Sequence, residues 1–238
     1  MDNLELFKQW VRESGSIVFF GGAGVSTESG IPDFRSVDGL YNQKFEYPPE
    51  TIISHSFYKR DPSYFFRFYR EKMLPLGFEP NITHWTLARW EEEGKLSAVV
   101  TQNIDGLHQK AGSKQVFELH GSVLRNYCNR CGKFFSAEFV RDASDVPLCS
   151  CGGIVKPDVV LYEEGLDADT LDGAIDAIQN ADLLIVAGTS LTVYPAAGLI
   201  RYFKGDHLVL INRDPTPYDH IADLVIHDSL GNVFRELD

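Results

Sequence analysis

Short apolar runs alternate with amphipathic stretches along most of the chain. Residues 17–20, 96–101, 116–119, 182–187, 207–211 and 223–226 read as strands. Two of these runs, LLIVAG and HLVLIN, are apolar almost without interruption, the pattern of a strand covered on both faces. Helical patterns fall between them. Asn81 supplies an N-cap for ITHWTLARWEEE and Gly94 ends it, while residues 168–179 and 196–203 give two more helices. This alternation predicts an α/β fold, a Rossmann-like parallel sheet with helices on both faces.

Two segments break the rhythm. Residues 38–80 are aromatic and helical, with DPSYFFRFYREKML opening on an Asp–Pro start signal. Residues 122–156 hold strand-like pieces such as VLRNYC and all four cysteines, Cys128, Cys131, Cys149 and Cys151, spaced C-x2-C-x17-C-x-C. Two close pairs separated by a short excursion suit a structural zinc ion held by four thiolates, with Gly132 and Gly152 placed for the turns. The N-terminal MDNLELFKQWVRE carries early acids and is no signal peptide, which disfavours disulfide pairing. We therefore expect residues 1–37, 81–121 and 157–238 to form a nucleotide-binding domain. Residues 38–80 and 122–156 should pack into a small second domain, a helical module plus a zinc module, stabilised by the metal because so few residues make a poor core.

Composition narrows the partners. The chain carries 34 acids against 22 bases, a formal charge of −12. Such a balance argues against nucleic acid, whose phosphates demand clustered Lys and Arg. It suits cationic partners such as lysine-bearing protein segments, or simply solubility. No apolar run approaches the ~20 residues of a membrane span.

The candidate chemistry lies where predicted strands end. FFGGAGVSTESGIPDFRS begins as a phosphate-binding loop, whose glycines Gly21, Gly22 and Gly24 let backbone N–H groups approach a pyrophosphate, but it lacks the G-x-G-x-x-G spacing. TQNIDGLHQKAG puts Gln102, Asn103 and Asp105 at a strand's carboxyl edge, a set suited to a carboxamide and ribose hydroxyls, or to an Asx-type turn. In VFELHG, His120 ends a strand before Gly121 and is the general-base candidate. His84 lies mid-helix, and His55, His207, His220 and His227 lack such neighbours, favouring packing or surface roles. VAGTSLTVYPAAG, LINRDP and IHDSLG end three more strands on Gly188, Thr189 and Ser190, on Asn212 and on Asp228. Convergence of this kind describes one extended ligand across a sheet edge.

Together GAGVSTESGIPDFRS, TQNIDGLH, the His–Gly pair, the four cysteines, KPDVVLY, GTSLTVYPAAG and INRDPTPYD resemble the sirtuin family of NAD-dependent protein lysine deacylases, in family order and over nearly the whole chain. The resemblance implies that NAD is a co-substrate and that the zinc is structural. It implies that Gly22, Ala23 and Gly24 approach the pyrophosphate, that Thr27, Phe34 and Arg35 belong to the cofactor loop, and that Asp105 and the Ile104 backbone hold the nicotinamide carboxamide. Gln102 and Asn103 would position the nicotinamide ribose, and Thr189, Ser190, Asn212 and Asp228 the adenosine half. The implied reaction joins the acyl oxygen to the ribose as an alkylimidate, with His120 as base and Asn103 beside it as the second catalytic residue. After attack of the 2′-oxygen on the imidate carbon, hydrolysis by water releases free lysine and 2′-O-acyl-ADP-ribose, nicotinamide having already left. An acylated-lysine peptide would bind as an added strand between residues 159–162 and 191–193, with Val160 and Tyr162 among its contacts.

Three features depart from the family pattern or leave it open. Tyr162-Glu163-Glu164 stands where Phe-Gly-Glu is common, and Gly21 where many members carry Thr. Desuccinylating members resemble one another in a Tyr-x-x-Arg pair; here Tyr69 and Lys72 occupy one predicted helical face. Lysine lacks arginine's two-pronged grip on a carboxylate, however, and Tyr69 equally suits core packing among Phe65, Phe66 and Phe68, so acetyl is the expected acyl group and succinyl or malonyl the alternative. A protein ADP-ribosyltransferase using the same site is a further alternative, and a catalytically silent NAD sensor lacks support because His120 is present. The short tails suggest a cytoplasmic protein of bacterial or archaeal type, expected to be a monomer.

Overall fold

In the computed structural model, which describes residues 2–33 and 45–237, the strands are β1 (Ile17–Gly21), β2 (Leu96–Thr101), β3 (Val116–Glu118), β4 (Gly121–Cys128), β5 (Phe134–Phe135), β6 (Val155–Val159), β7 (Leu183–Ala187), β8 (His207–Ile211) and β9 (Leu224–Ile226). The helices are α1 (Asn3–Glu13), α2 (Pro49–Ile52), α3 (His55–Arg60), α4 (Pro62–Phe68), α5 (Ile82–Glu92), α6 (Leu107–Ala111), α7 (Ala137–Asp142), α8 (Ala168–Gln179) and α9 (Leu230–Arg235). Six strands make one parallel sheet in the order β3-β2-β1-β7-β8-β9. The order reverses between β1 and β7, and open α/β sheets bind ligands at the carboxyl ends of such a switch point. All six predicted strands are found, with ends moved by no more than a residue.

Strand alternation serves two cores at once. Ile17 and Phe19 face Phe7, Val11, Leu87, Trp90 and Phe234, from helices α1, α5 and α9. Val18 and Phe20 face the opposite way, toward Ala174 and Ile178 of α8 and toward Leu199 and Ile200. Every residue of β1 and β7 is buried, which explains their unbroken apolar sequence. Helix α5 starts as expected: Asn81 Oδ1 accepts from Thr83 N at 3.0 Å, and His84 Nδ1 accepts from Asn81 N at 3.2 Å. The predicted 196–203 helix forms as a 3₁₀ helix, Ala196–Tyr202, with Gly198 inside it weakening the α form.

A second sheet, antiparallel and ordered β5-β4-β6, carries the cysteines. One apolar cluster joins Phe57, Tyr58, Phe65, Phe66 and Tyr69 of the helical segment to Val123, Cys128 and Val155 of this sheet and to Cys149 in the loop before β6. The helix opening on Asp61–Pro62 is α-helical only to Phe68; Tyr69–Met73 is a π turn. Tyr69 and Lys72 were expected on one face. The wider π turn separates positions i and i+3 that an α-helix would stack. Tyr69 is 1% exposed and stacks on Phe65, with its hydroxyl buried, whereas Lys72 reaches the surface of the central cleft.

The two sheets meet at Gly121. Its φ is +74°, and a Cβ there would overlap the Asp158 carbonyl, where β4 pairs with β6. Replacing Gly121 with Ala should therefore cost at least about 2 kcal/mol, read as a lower urea midpoint with an unchanged slope.

Candidate active site

The turns after β1 and β7 touch backbone to backbone. Gly22 N donates to Ala187 O at 3.2 Å and Gly24 N to Gly188 O at 2.8 Å. A Cβ on Gly24 would stand 2.8 Å from Gly188 Cα, and one on Gly22 2.7 Å from Thr189 Cβ. These glycines are thus required by contact between two turns, whatever ligand lies above. A cavity of about 600 Å³ opens over them and runs between the two sheets.

The strand ends supply its polar wall. Gln102 N donates to Gly21 O at 2.9 Å, and Thr189 Oγ1 to Gln102 Oε1 at 3.2 Å. That leaves the Gln102 amide nitrogen, buried and unpartnered, as a donor for a ligand. Asn103 Nδ2 donates to Ser26 Oγ at 3.1 Å, and Ser26 Oγ donates to Asp105 Oδ2 at 2.7 Å. Asp105 Oδ1 accepts from Leu107 N at 2.9 Å, at the start of α6. Burial raises the Asp105 carboxyl above its ordinary range, against the lowering effect of these hydrogen bonds. Ser26 thus couples the glycine loop to the 103–105 turn. The sequence reading missed it, although its place within GAGVS was a signal; that it is 1% exposed was not legible.

His120 sits at the junction of the sheets. Its Nδ1 lies 2.9 Å from Gln102 O, and a carbonyl can only accept, so Nδ1 carries the proton and Nε2 of the neutral ring is left as a base. Burial lowers its pKa below the usual 6.5, only partly opposed by that hydrogen bond. The His120 carbonyl in turn accepts from Val160 N at 3.0 Å, which ties the base to the strand that follows it. His108, in the same motif as Asp105, has a different fate. It is fully buried, 4.7 Å from His84 between ring centroids, and burial holds both rings neutral, His84 at a pKa of about 4.

Ala23, Gly24, Gln102, Asn103, Ile104, Asp105 and His120 all line the cavity, as do Gly188, Thr189, Ser190 and Asn212. Val160, Tyr162 and Lys72 line its other side. Gly22, Thr27, Tyr69 and Asp228 do not: Gly22 is packed behind, Thr27 Oγ1 donates back to Gly24 O at 3.0 Å, and Asp228 Oδ1 accepts from Asn232 Nδ2 at 2.9 Å and Ser229 N at 2.6 Å at the start of α9. Phe34 and Arg35 lie outside the described residues. Ile31 and Phe78 also line the cavity and were not anticipated.

The four cysteines converge on one point. Their Sγ atoms all lie within 4.8 Å of one another, with Cys128–Cys151 at 3.4 Å and Cys131–Cys149 at 3.7 Å. A tetrahedral zinc with bonds of about 2.3 Å sets its sulfurs about 3.8 Å apart, so the donor set fits one ion, and all four cysteines are free thiols. Gly153 is needed beside it, because a Cβ there would stand 2.6 Å from Cys128 Sγ.

The family model described as Sir2 matches residues 22–195. The chain belongs to the Sir2 family. A Clostridium acetobutylicum protein named NAD-dependent protein deacetylase is 62% identical over 99% of this chain and 98% of its own length. A Staphylococcus aureus protein of the same name is 46% identical, with the same coverage. Among solved structures, a Sir2 complex with p53 peptide and NAD+ is 41% identical, covers 100% of this chain and 97% of its own, and superposes with a TM-score of 0.88. A Sir2 bound to acetylated peptide gives a TM-score of 0.88 at 40% identity, over 100% of this chain and 97% of its own.

In this Sir2 family member the four cysteines do not line the cavity, and a zinc ion held by four thiolates would have no open position for water, as in a structural site. Cys149→Ser should reduce the metal content from one equivalent to near none and lower the melting temperature, measured by elemental analysis and thermal unfolding.

Proposed function

We propose that the chain is an NAD-dependent protein lysine deacetylase, transferring the acetyl group of an acylated lysine to ADP-ribose with release of nicotinamide and 2′-O-acetyl-ADP-ribose. The observation that carries this reading is His120, whose protonated Nδ1 is held by the Gln102 carbonyl and whose Nε2 is free to act as base. Bound NAD supplies the glycosidic bond that breaks and the ribose hydroxyls that receive the acetyl group. Around it, the chain's own groups bind, orient and take up protons. Asp105 and the Ile104 backbone hold the carboxamide, Gln102 and Asn103 the nearer ribose, and Thr189, Ser190 and Asn212 the adenosine half. His120 Nε2 removes a proton from a ribose hydroxyl and so makes its oxygen a nucleophile toward the acyl carbon. The names of the relatives, and the NAD+ and acetyl-peptide complexes of the similar structures, support the same reading.

The peptide would add as a strand between residues 159–162 and 191–193, on the cavity side bounded by Val160 and Tyr162. On this reading residues 38–80 and 122–156 form the small unit and the rest of the chain the NAD-binding unit. No helix among the described residues is long and apolar enough to cross a membrane; we propose a cytoplasmic monomer. Acetyl is the favoured acyl group because Lys72 already has partners: Glu71 Oε1 at 3.0 Å and the Phe45 ring at 5.7 Å. The Tyr69 hydroxyl is buried away from it and does not form a carboxylate-binding pair with it.

His120→Ala should lower kcat/KM for lysine deacetylation by about 10²- to 10⁴-fold; unchanged release of free lysine would overturn the assignment. The acid limb of the wild-type profile should lie below pH 6.5, because the base is fully neutral above the ordinary histidine value and is lost only as pH falls through the depressed one. With matched peptides, acetyl-lysine should turn over faster than succinyl-lysine, and the reverse order would refute the acyl preference.

A further inference from the structure

Glu163 stands in an unusual backbone state at the edge of the cavity. Its φ is +76°, a left-handed conformation that among the described non-glycine residues only Leu191 shares. Glycine adopts this conformation at no cost, whereas here it is held by a residue with a side chain.

That side chain is engaged. Glu163 Oε2 accepts from Ser56 N at 2.8 Å, and Glu163 Oε1 accepts from Ser56 Oγ at 2.9 Å. Ser56 is in the first turn of α3, whose N–H groups have no partner within the helix. Its neighbours are served as well: His55 N donates to Tyr162 O at 2.9 Å, and Phe57 N to Ser54 Oγ at 3.2 Å. Tyr162 N donates to Ile53 O at 3.1 Å. Two of the three N–H groups opening α3 are thus satisfied by residues 162 and 163, so the helix start and the end of the 159–162 segment define each other. Glu164 makes links of its own: its Oε2 accepts from Leu161 N at 2.9 Å and from Lys156 Nζ at 3.1 Å, and its Oε1, 2.7 Å from His55 Nδ1, is a second tie to the first turn of α3.

We infer that Glu163 is a positioning residue for peptide binding, its carboxylate pinning the end of the 159–162 segment to the first turn of α3 and so holding that edge extended for an incoming strand. The inference rests on the proposed peptide site. Glycine at 163 would relieve the backbone and remove the pin, and glutamine would keep an acceptor for Ser56. Glu163→Gly should therefore weaken acetyl-peptide binding about three- to tenfold, with kcat and KM for NAD unchanged and the melting temperature preserved. Glu163→Gln should recover part of that loss. Peptide affinity is to be measured directly by calorimetry on the zinc-loaded chain without NAD, and steady-state kinetics run alongside. If wild type and Glu163→Gly bind the peptide equally, the positioning role falls while the deacetylase reading stands. If KM for NAD and the melting temperature change as much as peptide affinity does, the role is merely structural and the inference is overturned. If the wild-type protein binds no acetyl-peptide and removes no acetyl group, the functional reading fails and this inference with it.

Discussion

The close approach of two turns, one after β1 and one after β7, is the constraint on which the site depends. Parallel strands separated by a few ångströms diverge into their loops unless the loops lack side chains at the point of contact. Gly22, Gly24 and Gly188 meet that condition, and the hydrogen bond from Gly24 N to Gly188 O locks it. The consequence is a floor made of backbone, over which Gln102, Asn103 and Asp105 project from the neighbouring strand end. A methyl group at Gly24 would not merely crowd a ligand; it would separate the two halves of the sheet's carboxyl edge.

From that floor the polar groups are arranged by relay rather than by direct anchoring. Asn103 and Asp105 are both tied to Ser26, and Ser26 belongs to the glycine loop. The relay fixes the 103–105 turn against the loop it must share a ligand with, inside a site where an unpaired carboxyl would be costly. His120 is oriented by the same economy, since the carbonyl it needs is that of Gln102, the residue whose amide faces the cavity. One short segment after β2 therefore supplies polar groups of the cavity wall and sets the tautomer of His120.

The small sheet contributes the opposite wall, and its geometry follows from sharing a core. Helices α2 to α4 have too few residues to bury their aromatic rings alone, and the cysteine-bearing strands have too few to form a stable sheet. Packed together, Phe57, Phe65 and Phe66 cover Val123 and Val155, and the metal site closes the far end. The segment leaving β6 is held to α3 at Tyr162 and Glu163 and to the base at Val160, so the cavity wall is braced on both sides.

Much of this was legible in the chain. The strands were visible because alternation and unbroken apolar runs are local signals, and the cysteine spacing was visible because a tetrahedral ion needs two tight pairs and little else. Residues such as Gln102, Asp105 and His120 could be named because strand ends in a parallel sheet share an edge. Tertiary structure decided what depends on distant partners. It chose the core for Tyr69 and parted it from Lys72 through a π turn that no periodicity marked, buried His108 against His84 as a neutral pair, and gave Ser26 its relay. It also kept Glu163 left-handed against its own preference, because Ser56, more than a hundred residues away, holds its carboxylate. Periodicity records which face of an element is covered; which atoms cover it is set only when the chain closes on itself.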